Sequence, residues 1–342
     1  MTELPENMFA VIQKFSGYSG RMEGPQIAHA GDYLEAATLP LPVPSDSQVL
    51  IKLRASSVNP SDLHFIKGEY GQPRVKGAPA GFEGCGDVVL TGAKAAHLAG
   101  KRVAFVAASS GAWAEYVLAE AMICIPLHPD LSDDDGSAQI VNPLTAMGMI
   151  DIAEKAGDAL VISAATSQLG KLMIGLAKDK GLKVIALVRR ENAVDPLLKM
   201  GAAEVVVTTS PDFADHFEKA SRSLKPRVFL DAVCDQISET VFTLMPNRAR
   251  WVCYGKLSTE APVMTQMGQF TFMAKQIEGF WLTNWMQEIA PADLMAIIKD
   301  VQTRFMDGRW HTDVSTHLKL DQVIEGLAEA LKTPDGKVII TP

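Results

Sequence analysis

Residues 162–170 read ISAATSQLG. The apolar run ALVI ends at the first of them, and KLMIGLAKDKG, apolar at helical spacing, follows the last. A strand that turns into a helix through a tight, small-residue loop is where a dinucleotide pyrophosphate sits, against the amides of the helix N-terminus. The usual G-x-G-x-x-G is not kept: Ala165 and Ser167 stand at the first two glycine positions, and only Gly170 remains. Gly170 meets the demand for close packing of helix on strand, and Ala165 and Ser167 are small enough for a looser approach of backbone to phosphate. The hydroxyls of Thr166 and Ser167 add donors beside the helix end. Taken alone, the loop is equally an ordinary turn between a strand and a helix. The next strand, KVIALV, ends in Arg189-Arg190, about 20 residues on, where an NAD-binding chain carries an acid for the ribose 2′-hydroxyl. Two guanidiniums suit a 2′-phosphate, which they grip through forked, charge-assisted bonds. As structure only, the pair is a solvated strand end. Loop and arginines together point to NADPH.

These residues need elements to hold them. Up to about residue 125 the chain is dense in β-branched residues, Gly and Pro, and QVLIKLRASSVN, CGDVVLTG, RVAFVA and AEYVLAE read as strands divided by turns. From 126 the texture changes to alternation. LTAMGMIDIAEKAG, QLGKLMIGLAKDKG and PLLKMGA have helical spacing, while ALVISA, KVIALV, EVVVT, PRVFLDAV and RARWVCYG are short apolar runs. That alternation predicts βαβ units and a parallel sheet. From 276 the pattern is mixed, with helices at PADLMAIIKDVQTRFMDG and DQVIEGLAEALK and a last strand, KVIITP. The expected layout is a β-rich domain made of residues 1–125 and 276–342 around an α/β domain of residues 126–275.

Composition sets outer limits. With 342 residues the chain is long enough for two cores, and its 47% hydrophobic and 21% charged residues are those of a globular protein. A formal net charge of −8 argues against a nucleic-acid binder or a basic membrane-surface protein. No apolar run approaches the roughly 18 residues of a spanning helix, and MTELPENMFAVI has neither a basic start nor an apolar signal core. The four cysteines, Cys85, Cys124, Cys234 and Cys253, form no C-x-x-C pair. They read as reduced, buried thiols, which sets the expected compartment as the cytoplasm.

Further motifs carry a resemblance. Asn59-Pro60-Ser61-Asp62 followed by Gly68-Glu69-Tyr70-Gly71 resembles the N-P-x-D…G-x-Y stretch of quinone-oxidoreductase-like medium-chain dehydrogenases/reductases. GFEGCGDVV (81–89) is similar to their G-x-E-G-x-G-x-V segment, and NPLTA (142–146) to the segment entering their nucleotide domain. RARWVCYGKLS (248–258) and IEGFWLTNW (277–285) look most like the mitochondrial 2-enoyl thioester reductases. The resemblance implies a GroES-like catalytic domain formed by both chain ends around a Rossmann domain, a homodimer, and a nicotinamide in the cleft between domains. It also implies site residues. Thr145 lies beside the nicotinamide, and the loop with Ala165, Thr166, Ser167, Gln168, Leu169 and Gly170 lies at the pyrophosphate. Tyr254 falls near the adenosine-phosphate side, and Phe280 and Trp281 close over the nicotinamide.

Zinc members of that superfamily carry a cysteine where this chain has Asn59 and a histidine where it has Phe82. Asparagine and phenylalanine replace neither ligand on Zn²⁺, so no metal is expected, and His64 and Glu83 read as paired or packed side chains. Without a Lewis acid, hydride transfer from NADPH to an activated C=C remains feasible, because a conjugated carbonyl takes the charge as an enolate. That oxygen needs a hydrogen-bond donor. Tyr70 matches the tyrosine credited with this role in enoyl reductases, and Asn59 is a second candidate, for the same oxygen or for the nicotinamide ribose. Trp113, Trp281 and Trp285 read mainly as core or pocket wall. The leading expectation is reduction of α,β-unsaturated carbonyl compounds, small molecules that include 2-enoyl thioesters. The rivals are a quinone reductase and a non-catalytic NADPH-binding protein.

Overall fold

The computed structural model describes residues 4–107, 111–333 and 336–342. In chain order, β1 (Asn7–Gln13) and β2 (Leu34–Pro40) pair antiparallel as a two-stranded ribbon. Then come β3 (Gln48–Ser57), α1 (Pro60–Lys67), β4 (Glu83–Thr91), β5 (Arg102–Val106), β6 (Tyr116–Glu120), β7 (Cys124–Pro126) and the short α2 (Asp133–Ser137). β3 is the spine of this part and pairs antiparallel with both β4 and β6, while β5 pairs with β4 and β7 with β5. Along β3, Ile51, Leu53 and Ala55 are buried while Lys52 and Arg54 are exposed. That is the alternation of a strand with one face on a core. The β3–β4 approach is tight enough to require glycine: a Cβ on Gly86 would stand 2.1 Å from the Lys52 carbonyl oxygen.

The alternating part begins with α3 (Val141–Ala156) and continues as β8 (Ala159–Ile162), α4 (Gln168–Asp179), β9 (Lys183–Val188), α5 (Val194–Met200), β10 (Glu204–Val207) and α6 (Phe213–Leu224). After these come β11 (Val228–Asp231), α7 (Gln236–Leu244), β12 (Arg250–Cys253), α8 (Gly268–Thr271) and β13 (Gln276–Gly279). All six strands are parallel, in the order β10-β9-β8-β11-β12-β13. This is the doubly wound arrangement, with its topological switch point between β8 and β11. The inner strands are buried along their whole length, as a sheet covered on both faces demands. Phe217, Phe229, Phe242 and Trp251 fill one face, the rings of Phe229 and Trp251 stacking at 6.0 Å.

α9 (Leu282–Glu288) and α10 (Pro291–Met306) lead to β14 (Val314–Lys319), α11 (Val323–Ala330) and β15 (Lys337–Thr341). β15 joins the first sheet, antiparallel to β3, and β14 runs parallel to β15. The expected β-rich unit and doubly wound parallel sheet are thus both present. Two compact units result: the chain up to Val141 with Val301–Pro342, and Asn142–Asp300. The composition changes at 125 and 276 fall short of these joins. At the second, β13 extends the parallel sheet on an exposed edge, with Gln276, Ile277 and Gly279 open to solvent, so its run has no buried-strand signature. Among the described residues no helix is long and apolar enough to cross a membrane.

Candidate active site

In the doubly wound unit, β8 ends where ISAATSQLG begins, and the loop bends through Ala164 at φ +46°. The Ser167 side chain caps α4 by accepting from the Gly170 amide at 3.1 Å, which fixes the orientation of the helix start. Gly170 allows the close approach: a Cβ there would lie 2.6 Å from the Ala165 carbonyl oxygen. The Ala165 amide donates to the Leu187 carbonyl at 3.3 Å, so the loop lies against the end of β9. Arg189 and Arg190 follow directly, both exposed, with the Arg189 carbonyl accepting from Thr209 Oγ1 at 2.9 Å. The loop and the arginine pair are therefore neighbours in space as well as in order.

Asp231, at the end of β11, organises the switch point and was not singled out from the sequence. Its carboxylate is fully buried and accepts from Ser163 Oγ at 2.5 Å, Trp251 Nε1 at 2.9 Å and the amides of Val233 and Cys234. Four donors hold one charge where two strands diverge, so β8, β11 and β12 are tied at their carboxyl ends. The only signal for it was an aspartate closing an otherwise apolar run, PRVFLDAV. Next to it, Tyr254 donates its amide to the Asp231 carbonyl at 2.9 Å. The Tyr254 hydroxyl is buried with no hydrogen-bond partner among the described residues. Burial, then Asp231 and Cys234, push its phenol well above the ordinary value. A neutral buried phenol lacking a partner, a glycine-dependent close approach and two exposed guanidiniums all fit a phosphorylated dinucleotide. On α3, Thr145 is buried, and one turn on Gly148 leaves room for Phe280 and Trp285, whose rings stand 6.3 Å apart. Phe280 is held by its amide, which donates to the Cys253 carbonyl at 2.9 Å, and Trp281 begins α9 as its N-cap.

The β-rich unit, taken by itself, holds Tyr70 and Asn59. Tyr70 is half-buried, its ring 5.1 Å from Phe82 and 6.5 Å, edge-on, from Phe65. Phe82 is fixed by its amide, which donates to Asp62 Oδ1 at 2.7 Å. Beside it lies a buried polar knot. Glu83 Oε1 accepts from Ser57 Oγ and from Asn59 Nδ2, each at 2.8 Å, and Oε2 accepts from the amides of Ile140 and Val141 at the start of α3. Asn59 Oδ1 accepts from Lys337 Nζ at 2.5 Å, and Asp62 Oδ2 accepts from the Asn59 amide at 2.7 Å. Asn59 is 2% exposed and both ends of its amide are engaged. It braces the fold at this point. His64 leans on Glu69 at 3.2 Å. Among the described residues no three of His, Cys, Asp and Glu gather as a metal site, and the buried cation beside Asn59 is the ammonium of Lys337. Trp113 is core, wholly buried.

Residues 45–129 match the family described as alcohol dehydrogenase GroES-like domain, and residues 169–299 the family described as zinc-binding dehydrogenase. A Mesorhizobium loti protein assigned provisionally as an NADPH:quinone reductase has a solved structure with a TM-score of 0.95 to this chain. It is 45% identical, with 100% of each chain covered. The mitochondrial enoyl-[acyl-carrier-protein] reductase of Homo sapiens is 27% identical over 337 residues, 93% of this chain and 89% of the relative. A mitochondrial 2-enoyl thioester reductase heterodimer from Candida tropicalis shares the fold, at TM-score 0.80 and 21% identity over 98% of this chain and 100% of that one.

Two outcomes follow from the knot. Lys337→Met removes the buried ammonium that donates to Asn59 Oδ1, and losing one hydrogen bond to a charged group costs about 1.5–3 kcal/mol, measurable by urea unfolding at neutral pH. Burial raises the Asp62 carboxyl from 3.8 to about 7, against the pull of its two amide donors and Lys337. The folded protein then keeps a proton that the unfolded chain has already lost. The contribution of this group to stability is whole below pH 3.8 and drains away as the pH climbs to about 7. Unfolding free energies across that range should fall more steeply for the unaltered protein than for Asp62→Asn; parallel profiles would refute the assignment.

Proposed function

The chain belongs to the zinc-independent part of the medium-chain dehydrogenase/reductase superfamily, and on that footing we propose that it reduces the C=C bond of α,β-unsaturated carbonyl compounds, 2-enoyl thioesters among them. It is an NADPH-dependent oxidoreductase, and NADPH, when bound, supplies the hydride. The ISAATSQLG loop, the α4 N-terminus and Tyr254 would hold the phosphates, Arg189 and Arg190 the 2′-phosphate, and Thr145, Phe280 and Trp281 the nicotinamide end.

The observation that carries the C=C reading is the setting of Tyr70. Its ring is braced by two phenylalanines, and the neighbouring Asn59 amide is committed to Glu83 and Lys337. A phenol is neutral at pH 7 and donates without bringing a charge to the site. As the β-carbon gains a hydride, the carbonyl oxygen becomes an enolate oxygen, and Tyr70 stabilises it or passes its proton on. Quinone reduction is the second reading, favoured by the high identity to the Mesorhizobium loti protein. NADPH oxidation followed with crotonyl-CoA, a simple enone and a quinone side by side separates the two. A homodimer is part of the same proposal.

NADPH should bind far more tightly than NADH, and the double variant Arg189→Ala/Arg190→Ala should erase most of the difference. Each lost charge-assisted bond is worth roughly 1.5–3 kcal/mol. Equal affinity of the unaltered protein for both cofactors, by fluorescence titration, would defeat the assignment.

Tyr70→Phe keeps the ring and its packing and removes only the donor. Loss of one oxyanion donor costs about 10²–10³ in kcat, so turnover of the best C=C substrate should drop by that much. Quinones, which accept hydride more readily, should suffer less, and NADPH affinity and Tm should hardly move. An unchanged kcat would leave Tyr70 as a pocket wall.

A further inference from the structure

Two of the four cysteines meet at the carboxyl end of the parallel sheet. Cys253 closes β12, where it stands beside Asp231 of β11 in the strand register. Beyond Asp231 the chain turns tightly. The Cys234 amide donates to Asp231 Oδ2 at 3.1 Å, and Cys234 itself takes the left-handed conformation at φ +57°. This turn folds the Cys234 side chain back over the strand ends, with Sγ 4.0 Å from the Asp231 carbonyl oxygen and 3.3 Å from that of Gly255. One of these oxygens belongs to the register neighbour of Cys253, the other to the residue two beyond it. The two sulfurs are accordingly within hydrogen-bonding reach of each other. The Cys85 and Cys124 thiols, in the β-rich unit, donate instead to the Asp133 and Glu120 carbonyls.

A thiol reacts through its thiolate. The hydrogen bond from Cys234 holds the Cys253 thiol below its ordinary value against burial and Asp231, with the Lys256 ammonium assisting. The same pairing, with burial, raises Cys234, and burial raises Cys85 and Cys124. Cys253 is also the least buried of the four. We propose that Cys234 and Cys253 form a dithiol that hydrogen peroxide oxidises reversibly to a disulfide, and that the disulfide weakens NADPH binding. The Cys253 sulfur attacks one peroxide oxygen, the O–O bond breaks, and a sulfenic acid and one water result. The Cys234 sulfur then attacks the Cys253 sulfur, forming the S–S bond and releasing a second water. Two thiols and one peroxide thus become one disulfide and two waters, and a dithiol reductant reverses the change by exchange. The cofactor half of the proposal rests on placing Tyr254 and Phe280 at the nucleotide, as above. The new bond takes the Cys234 donor from the Gly255 carbonyl and pins the end of β12. Tyr254 follows directly there, and the Cys253 carbonyl receives the Phe280 amide.

The test reads the bond and the binding separately. The full chain is treated with hydrogen peroxide, free thiols are blocked with iodoacetamide under denaturing conditions, and the peptides are mapped by mass spectrometry. A peptide linking Cys234 to Cys253 should appear and should vanish after dithiothreitol, while Cys85 and Cys124 stay open to the blocking reagent. Titrated by fluorescence, the oxidised protein should bind NADPH at least about fivefold more weakly, the lower end of the range for linked sites. Dithiothreitol should restore the affinity. Cys253→Ser should abolish both the link and the effect of peroxide, and Cys234→Ser gives the same comparison if the first variant folds poorly. Absence of the linked peptide, a link that leaves NADPH affinity unchanged, or a peroxide effect that survives both substitutions would overturn the proposal. Weak NADPH binding by the reduced protein, with the link formed as expected, would instead count against the placement of the nucleotide alone.

Discussion

A buried carboxylate with a buried ammonium near it is the constraint on which the β-rich unit turns. Glu83 receives four hydrogen bonds, from Ser57 at the end of β3, from Asn59 before α1, and from two amides at the start of α3. Lys337, on β15, reaches it through the Asn59 amide. Taken singly, a buried ion is expensive, and a pair of them is worth keeping only when every lone pair and proton finds a partner. Here the partners come from segments far apart in sequence, so the charge can be satisfied only when the first sheet, the helix after it and the last strand are all in place. The same knot holds Phe82, through Asp62, against Tyr70. Precision at the phenol is inherited from electrostatics one layer below it.

The doubly wound unit repeats the device with a different ion. Asp231 gathers four donors at the switch point, beside the start of the ISAATSQLG loop. This explains how the loop tolerates the loss of two glycines. Ala164 takes the left-handed conformation in their stead, and Ser167 anchors the helix by capping it, so only Gly170 is left with a steric task no other residue performs. Two of the three glycine roles have been reassigned to side-chain hydrogen bonding and to a strained alanine.

What could be read from the sequence depended on whether an element's partners were local. The runs ALVI, KVIALV and EVVV are apolar but for the opening Lys183 and Glu204 because both faces of the parallel sheet are covered, and they were legible as strands for that reason. β3 was legible through its alternation. β13 was not, because an edge strand with exposed Gln276 and Ile277 carries neither pattern. Among the candidate site residues, Tyr70, the ISAATSQLG loop and the arginine pair each stand in a short local motif, so they could be picked out from spacing alone. Lys337 and Gln13 are the reverse case. A lysine opening KVIITP and a glutamine closing NMFAVIQ look like solvated strand ends, and only long-range pairing carries them into the interior. Asn59 shows the same limit, since its residue type fits a donor to substrate while its contacts spend the amide on Glu83 and Lys337.

The position of β15 has a consequence for synthesis. The doubly wound unit is one continuous stretch, Asn142–Asp300, whereas the β-rich unit needs Val301–Pro342 before its sheet can close. On the ribosome, β3 and β4 are made before the doubly wound unit but must wait for β15, which is made after it, with Asn59 lacking its Lys337 donor in the interval. The nucleotide unit has every strand partner as soon as β13 is out. Chain polarity thus reverses the usual order of domain maturation: the middle of the protein is complete while its beginning is still unfinished, with β3 unpaired along the edge reserved for β15.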